Sequence, residues 1–335
     1  MNLVWLCPVV KKPVGGVKVI YRQAAITHAL LQDKLLGSAA VMHPNTWRFK
    51  DRWFADDVPQ RRARFGFCWK GKPGFSDISG IFNPATDVVV LPEVWARKYG
   101  DQLARLQVPF AIYVQNGYFI SKGDPAVLDA AYQGARCILT ISDDASRCVA
   151  MAFPGAESKI LRVHYSVDAR RFSPNQAKDN IITYMPRKLA DHSSKVIFFL
   201  RNHLPSHWRI VPIEGLNEAG VADLLQRSKI FMSFSHFEGC PLPPLEAALS
   251  GNLVIGYTGQ GAKEYWLPGI FEEIESGNVA GFAQSVLTKV RALDALPDFA
   301  LDQEGIRKLG RIYGEEQELQ DMQALIHRMS PEGTA

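Results

Sequence analysis

FEGCPLPPLEAALS, residues 237–250, carries two glutamates, Glu238 and Glu246, with seven residues between them. Upstream lies IFMSFSH (230–236), an apolar and aromatic run that reads as a buried strand. Downstream, Pro243-Pro244 can open a helix, because the first helical positions need no N–H partner. The segment therefore reads as strand, tight Gly/Pro loop and helix N-terminus. Such a terminus attracts anions through its free N–H groups and dipole. Glu238 is expected at the strand end and Glu246 on the first helical turn. A carboxylate on each side of a phosphate cradle suits a ligand with hydroxyls flanking a diphosphate.

The rest of the chain alternates short apolar strands with helices. Strands are expected at 3–10, 39–43, 87–91, 108–116, 137–142 and 159–167, with a Gly15-Gly16 turn before a helix over Lys18–Leu36. DVVVL (87–91) is a β-branched run of the kind buried on both faces. SDDAS (142–146) reads as Ser142 capping a helix that starts at Asp143. A second series has strands at 181–185, 208–215, 230–236 and 252–257. Its helices are expected near 187–201, 218–228, 243–250 and 278–295, followed by one or two over Gly305–Met329. This order implies parallel sheets with right-handed crossovers. The fold class is thus α/β, with two doubly wound, Rossmann-like domains and a cleft between the carboxyl ends of their sheets. The expected limits are 1–172 and 180–305, joined through FSPNQAKD (172–179).

A length of 335 residues fits about two domains. The hydrophobic fraction of 47% and charged fraction of 21% are those of a globular protein. The sequence contains no run of 18 apolar residues, so a spanning helix is not expected. Five cysteines, odd in number and without a CxxC pair, fit reduced thiols in a cytoplasmic protein. Charge is unevenly split. Residues 1–175 hold 23 Lys and Arg against 14 acids; the remainder holds 15 against 20. The basic N-terminal half could face an acidic acceptor, anionic lipid or nucleic acid, and its basic, aromatic stretch 47–75 suits a membrane interface, single-stranded nucleic acid or a solvated loop.

EGCPLPPLEA resembles the EGFGLPPLEA-type signature of retaining glycosyltransferases with the GT-B fold, the large family 4 group. The resemblance is strongest over about 160–270 and includes HYSVDARRFSP (164–174), similar to the family's interdomain segment. It implies a nucleotide-sugar donor, with Glu238 on the sugar and Glu246 on the ribose. Gly239, Cys240 and Leu242 would line the phosphates, although Pro241 removes one N–H donor. Arg187 and Lys188, with Lys195 as a third candidate, would bear the diphosphate and stabilise its departing charge. Gly15 and Gly16 resemble the family's glycine loop. Thr258 and Gly259, in Tyr257–Gly261, resemble a post-strand loop ahead of Glu264 in the next helix. Asn116 and Tyr118 stand where relatives place a sugar-contacting histidine.

The resemblance also implies metal-independent transfer without a further cofactor and a last segment, 306–335, that packs on the N-terminal domain. The acceptor would be a carbohydrate or lipid-linked glycan in bacterial surface polysaccharide synthesis, with peripheral association at the inner membrane face and no nucleic-acid partner. A zinc site at His203 and His207 is disfavoured by Pro205, and Asp56-Asp57 is an acidic pair outside any strand-end Asp-x-Asp. Two other functions remain open. One is a catalytically silent relative that binds carbohydrate; the other is an epimerase or phosphorylase of the same fold.

Overall fold

The computed structural model describes residues 1–10, 14–44, 58–63, 65, 68–69, 72–73, 77–174, 178–296 and 301–330, without the side chains of 68–69 and 72–73. Much of the basic aromatic stretch, including Trp47–Phe54, Arg64, Phe67 and Lys70, and Asp56-Asp57 lie outside the described residues. By contact the chain forms two units, Met1–Tyr165 with Glu318–Ala335, and Ser166–Gln317.

The first unit contains β1 (Asn2–Leu6), α1 (Gly15–Asp33), β2 (Ser38–Pro44), β3 (Gln60–Ala63), a small hairpin of β4 (Cys68–Trp69) and β5 (Lys72–Pro73), and β6 (Asp87–Pro92). It continues with α2 (Glu93–Arg105), β7 (Phe110–Val114), α3 (Pro125–Gly134), β8 (Cys137–Thr140), α4 (Asp143–Ala152) and β9 (Ile160–Arg162). Seven strands pair in parallel in the order β3-β2-β1-β6-β7-β8-β9. Every residue of β6 is buried, as a strand covered on both faces requires. Ser142 caps α4, its Oγ accepting from the Ala145 N–H at 3.0 Å.

The second unit contains β10 (Asp179–Tyr184), α5 (Ala190–Leu200), β11 (Arg209–Pro212), α6 (Glu218–Arg227), β12 (Ser228–Glu238), α7 (Leu242–Leu249), β13 (Leu253–Gln260), β14 (Phe271–Glu273), α8 (Val279–Ala295) and α9 (Gln303–Ile312). The final helix is α10 (Glu315–Met329). Five strands pair in parallel in the order β11-β10-β12-β13-β14. The core beneath β12 is aromatic. Phe234 stacks on Phe282 at 4.8 Å, and Tyr257 meets Phe282 edge-on at 5.4 Å. Lys178 anchors the entry to β10. Its Nζ donates to the carbonyls of Ser228 (2.8 Å), Ser250 (2.9 Å), Gln226 (3.1 Å) and Leu225 (3.4 Å), where α6 and α7 end. An ammonium at two helix C-termini is electrostatically favoured.

Residues of α10 complete the first unit. Glu318, fully buried, accepts from Arg22 Nε at 2.7 Å and from Gln23 Nε2 at 3.2 Å. Asp321 Oδ2 accepts from the His164 backbone N–H at 2.6 Å. That bond explains why the strand expected over 159–167 stops at Arg162: the backbone donor of residue 164 goes to a carboxylate rather than to a neighbouring strand. The strand expected over 3–10 ends at Leu6, just short of Pro8, which has no N–H for the ladder.

Helices α2 and α3 and strand β14 were not expected from the sequence. The apolar stripe of α2, Ala96, Tyr99, Gly100 and Leu103, includes a residue of poor helix propensity. Its use is close packing: a Cβ on Gly100 would stand 2.4 Å from that of Ala131 on α3. Phe282→Ala empties the centre of the second unit's aromatic cluster and is expected to cost about 3–5 kcal/mol. Urea unfolding of the variant checks this; a loss under about 1 kcal/mol would mean that the cluster carries little of the unit's stability.

Candidate functional site

The site in the second unit is built at the carboxyl ends of β10, β12 and β13. β12 runs to Glu238, so the first glutamate is the last strand residue. The ladder to β13 shifts register between Ser235 and Glu238, which brings Glu238 opposite Gln260. Phe237, just before Glu238, takes the left-handed conformation at φ 45°, and Gln260 does so at φ 75°. A non-glycine residue rarely sits there without cost, and such strain gathers at functional sites.

The loop after Glu238 is packed tightly. A Cβ on Gly261 would stand 1.8 Å from the Gly239 carbonyl oxygen, so only a glycine lets the two turns meet. Gly259, at φ 63°, lies against Ser235 and Glu238. Thr258 is buried, and its Oγ1 accepts from the Gln260 N–H at 3.3 Å. Tyr265, buried beneath the loop, donates through its hydroxyl to the Pro241 carbonyl at 2.5 Å. Burial holds its phenol far above the usual tyrosine range, reinforced by Cys240, Glu264, Glu238 and Glu246.

Lys188 pairs with Glu238 through Nζ and Oε1. Both side chains are about one-third exposed or less, at 32% and 27%. Arg187 is exposed in the same turn, closed by the Lys188 N–H donating to the Met185 carbonyl at 3.1 Å. Leu189 follows in the left-handed conformation at φ 42° and caps α5. Lys195 pairs instead with Asp191 one helical turn away, on the exposed face of α5.

Several positions differ from expectation. Glu246 is the fifth residue of α7 and lies beyond its first turn, because the helix opens at Leu242 after Pro241 rather than at Pro243. Prolines at 241, 243 and 244 leave Gly239, Cys240, Leu242 and Leu245 as the N–H donors of this corner. Arg187 and Lys188 stand in the turn before α5, not on the helix, which begins at Ala190 after the left-handed Leu189. Residues 257–260 belong to β13, so the loop is confined to residues beyond Gln260. Glu264 sits in the short 3-10 turn Lys263–Tyr265, where it accepts from the Tyr313 hydroxyl at 2.6 Å. His207 contacts Asp294 at 3.0 Å.

The remaining candidates lie in the first unit. Gly15 and Gly16 open α1 rather than forming a turn before it. Gln115 Nε2 donates to the Gly16 carbonyl at 3.0 Å and thereby joins that helix start to the end of β7. Asn116 caps the 3-10 turn Gly117–Phe119, accepting from the Tyr118 N–H at 2.9 Å. The Tyr118 hydroxyl donates to Asp144 Oδ2 at 2.8 Å.

Neither a family model nor a curated protein sequence gives a match to this chain. Solved structures do. A glycosyltransferase from Rickettsia africae aligns with a TM-score of 0.67 at 12% identity, over 98% of each chain. Sucrose-phosphate synthase from Thermosynechococcus elongatus aligns at 0.69 and 12%, again over 98% of each. Anabaena HepE in complex with UDP and glucose aligns at 0.68 and 11%, over 97% of this chain and 99% of that one. This chain has the GT-B fold.

Within the GT-B fold, the sequence reading missed Glu93. It is the first residue of α2, at the carboxyl end of β6, and is 6% exposed. Burial pushes its carboxyl from 4.5 up to about 7, against the opposing pull of backbone N–H groups that include those of Gln115 and Asn116. An acid directly after the all-buried DVVVLP strand was the available signal. Between about pH 4.5 and 7 the folded protein binds this proton and the unfolded chain does not. The stabilisation is therefore complete below about 4.5 and lost as pH rises through 7. Glu93→Gln is expected to flatten stability across that window and to exceed the parent above pH 7.5 by up to about 3 kcal/mol. Denaturant midpoints measured from pH 5 to 8 check this; parallel curves for the two proteins would refute it.

Proposed function

We propose that this chain is a metal-independent, retaining glycosyltransferase of the family 4 type. It moves a sugar from a nucleotide-sugar donor to a carbohydrate or lipid-linked acceptor. The observation that carries the proposal is the pairing of Lys188 with Glu238 beside the packed turn from β12 to α7. A cation and a hydroxyl-binding carboxylate side by side match a sugar joined to a diphosphate. Structures of Anabaena HepE with UDP, with UDP and glucose and with UDP-glucose lend support, since that protein shares the fold.

In the proposed reaction the C1–O bond to the donor's phosphate breaks and the acceptor oxygen bonds to C1 on the same face. The acceptor proton passes to the departing diphosphate. Arg187 and Lys188 offset the charge that develops on that diphosphate. Glu238 orients the sugar hydroxyls, and Glu246 receives the ribose hydroxyls. Gly239, Cys240 and Leu242 contribute backbone N–H groups to the phosphates. A bacterial surface-polysaccharide role, reached from the cytoplasm at the membrane face, follows from the resemblance alone. No helix among the described residues is long and apolar enough to cross a membrane.

Calorimetric titration with UDP, GDP, dTDP, ADP and CMP, without added metal, tests the donor assignment. Selective binding of one nucleotide is expected, weakened about tenfold or more in Glu246→Ala by loss of hydrogen bonds to a charged group. With the matching donor sugar, Lys188→Ala is expected to lower the transfer rate by about 10²–10³. The anomeric configuration of the product, read by NMR, tests retention. A folded protein that binds none of the five nucleotides would refute the assignment.

A further inference from the structure

We propose that the Lys188–Glu238 ion pair is a latch opened by the diphosphate of the ligand. The phosphate takes the ammonium, and the carboxylate so released turns to the sugar. This rests on the donor assignment above and adds to it an order of events within the site.

The argument starts from charge. Lys188 is one of the two cations assigned to the diphosphate, yet its Nζ lies on the Glu238 carboxylate. A diphosphate that reaches this ammonium meets a negative charge already beside it, and like charges at a few ångströms repel. Glu238 thus opposes the binding of the nucleotide while it holds Lys188. Of the other cations nearby, Lys195 is engaged with Asp191 and Lys263 lies 3.9 Å from Glu273, which leaves Arg187, exposed in the same turn, as the second cation for the diphosphate.

The backbone on either side of the pair supports the same reading. Leu189 directly follows Lys188 at φ 42°, and Phe237 directly precedes Glu238 at φ 45°. Both are non-glycine residues held in the left-handed region, which L side chains rarely adopt without cost. The latch therefore joins two turns with uncomfortable backbone, and a contact that replaces it has strain to release. Partial exposure of both side chains leaves the pair open to exchange with a ligand.

Neutralising the carboxylate consequently improves nucleotide binding, whereas a carboxylate that serves only the sugar leaves it unchanged. The test is calorimetry at fixed ionic strength on the parent, Glu238→Gln, Lys188→Met and the double variant. The probes are UDP, ADP, UDP-glucose and inorganic pyrophosphate, which carries neither base nor sugar. Glu238→Gln is expected to bind pyrophosphate and the preferred nucleotide about two- to fivefold tighter than the parent. The gain should vanish in the Lys188→Met background. The extra affinity that the parent shows for UDP-glucose over UDP, if UDP is the preferred nucleotide, should shrink in Glu238→Gln.

Equal or weaker nucleotide binding by Glu238→Gln, with clear binding by the parent, overturns the latch and leaves the donor assignment intact. A gain that persists without Lys188 also overturns it, because the effect would then be general charge. Absence of binding of these probes and of GDP, dTDP and CMP to all four folded proteins overturns the donor assignment and the latch with it. Glu238→Ala, expected to shift affinity in the same direction, serves if the glutamine variant fails to fold by circular dichroism.

Discussion

The hydrogen bond from the Tyr265 hydroxyl to the Pro241 carbonyl fixes the corner on which the site depends. A buried phenol needs an acceptor, and a carbonyl at the turn between strand and helix needs a donor. Meeting both needs at once fixes the height of the 239–241 loop above the core. Gly261 closes against Gly239 on the other side. Between these two constraints Glu238 has little freedom at its Cα, and α7 starts at a defined place. The three prolines of the corner then limit which backbone groups face outward. The local sequence is rigid because each residue in it has lost alternatives: to a ring, to a missing Cβ or to a neighbour.

Electrostatics adds a second layer. Glu238 and Glu246 both bear on Tyr265, and Glu264 is close enough to do the same. Three acids near one buried hydroxyl would repel one another if left alone. Lys188 offsets one of them, and the Tyr313 hydroxyl donates to another. Two of the three acids are therefore partnered, and the Lys188–Glu238 pair is flanked by the left-handed residues Leu189 and Phe237.

Elements defined by strong period or by breakers were legible in the sequence. DVVVL, IFMSFSH and the Ser142 cap lie where pattern and chemistry put them, as do both parallel sheets. Glu238 at the strand end was equally readable. What escaped depends on tertiary contact. Gly100 looks like a helix breaker until Ala131 is seen against it. The end of β9 depends on Asp321, more than 150 residues away along the chain. Lys188 and Lys195 are both basic residues near the end of β10, and only the fold separates one that meets Glu238 from one that meets Asp191. Glu93 carries a local signal, but its raised affinity for a proton comes from the depth at which β6 ends.

The position of Glu318 in the chain bears on how this protein is made. Arg22 and Gln23 are spoken for by an acid 296 and 295 residues downstream. At about 5–20 residues per second, the ribosome delivers that acid roughly fifteen seconds or more after α1 has been translated. For that interval the nascent first unit holds a polar face of α1 whose partner does not yet exist. Early collapse of residues 1–165 is thereby discouraged from becoming final, because α10, translated long after them, supplies the buried partner of α1. A contact of such sequence separation closes more slowly than local contacts would.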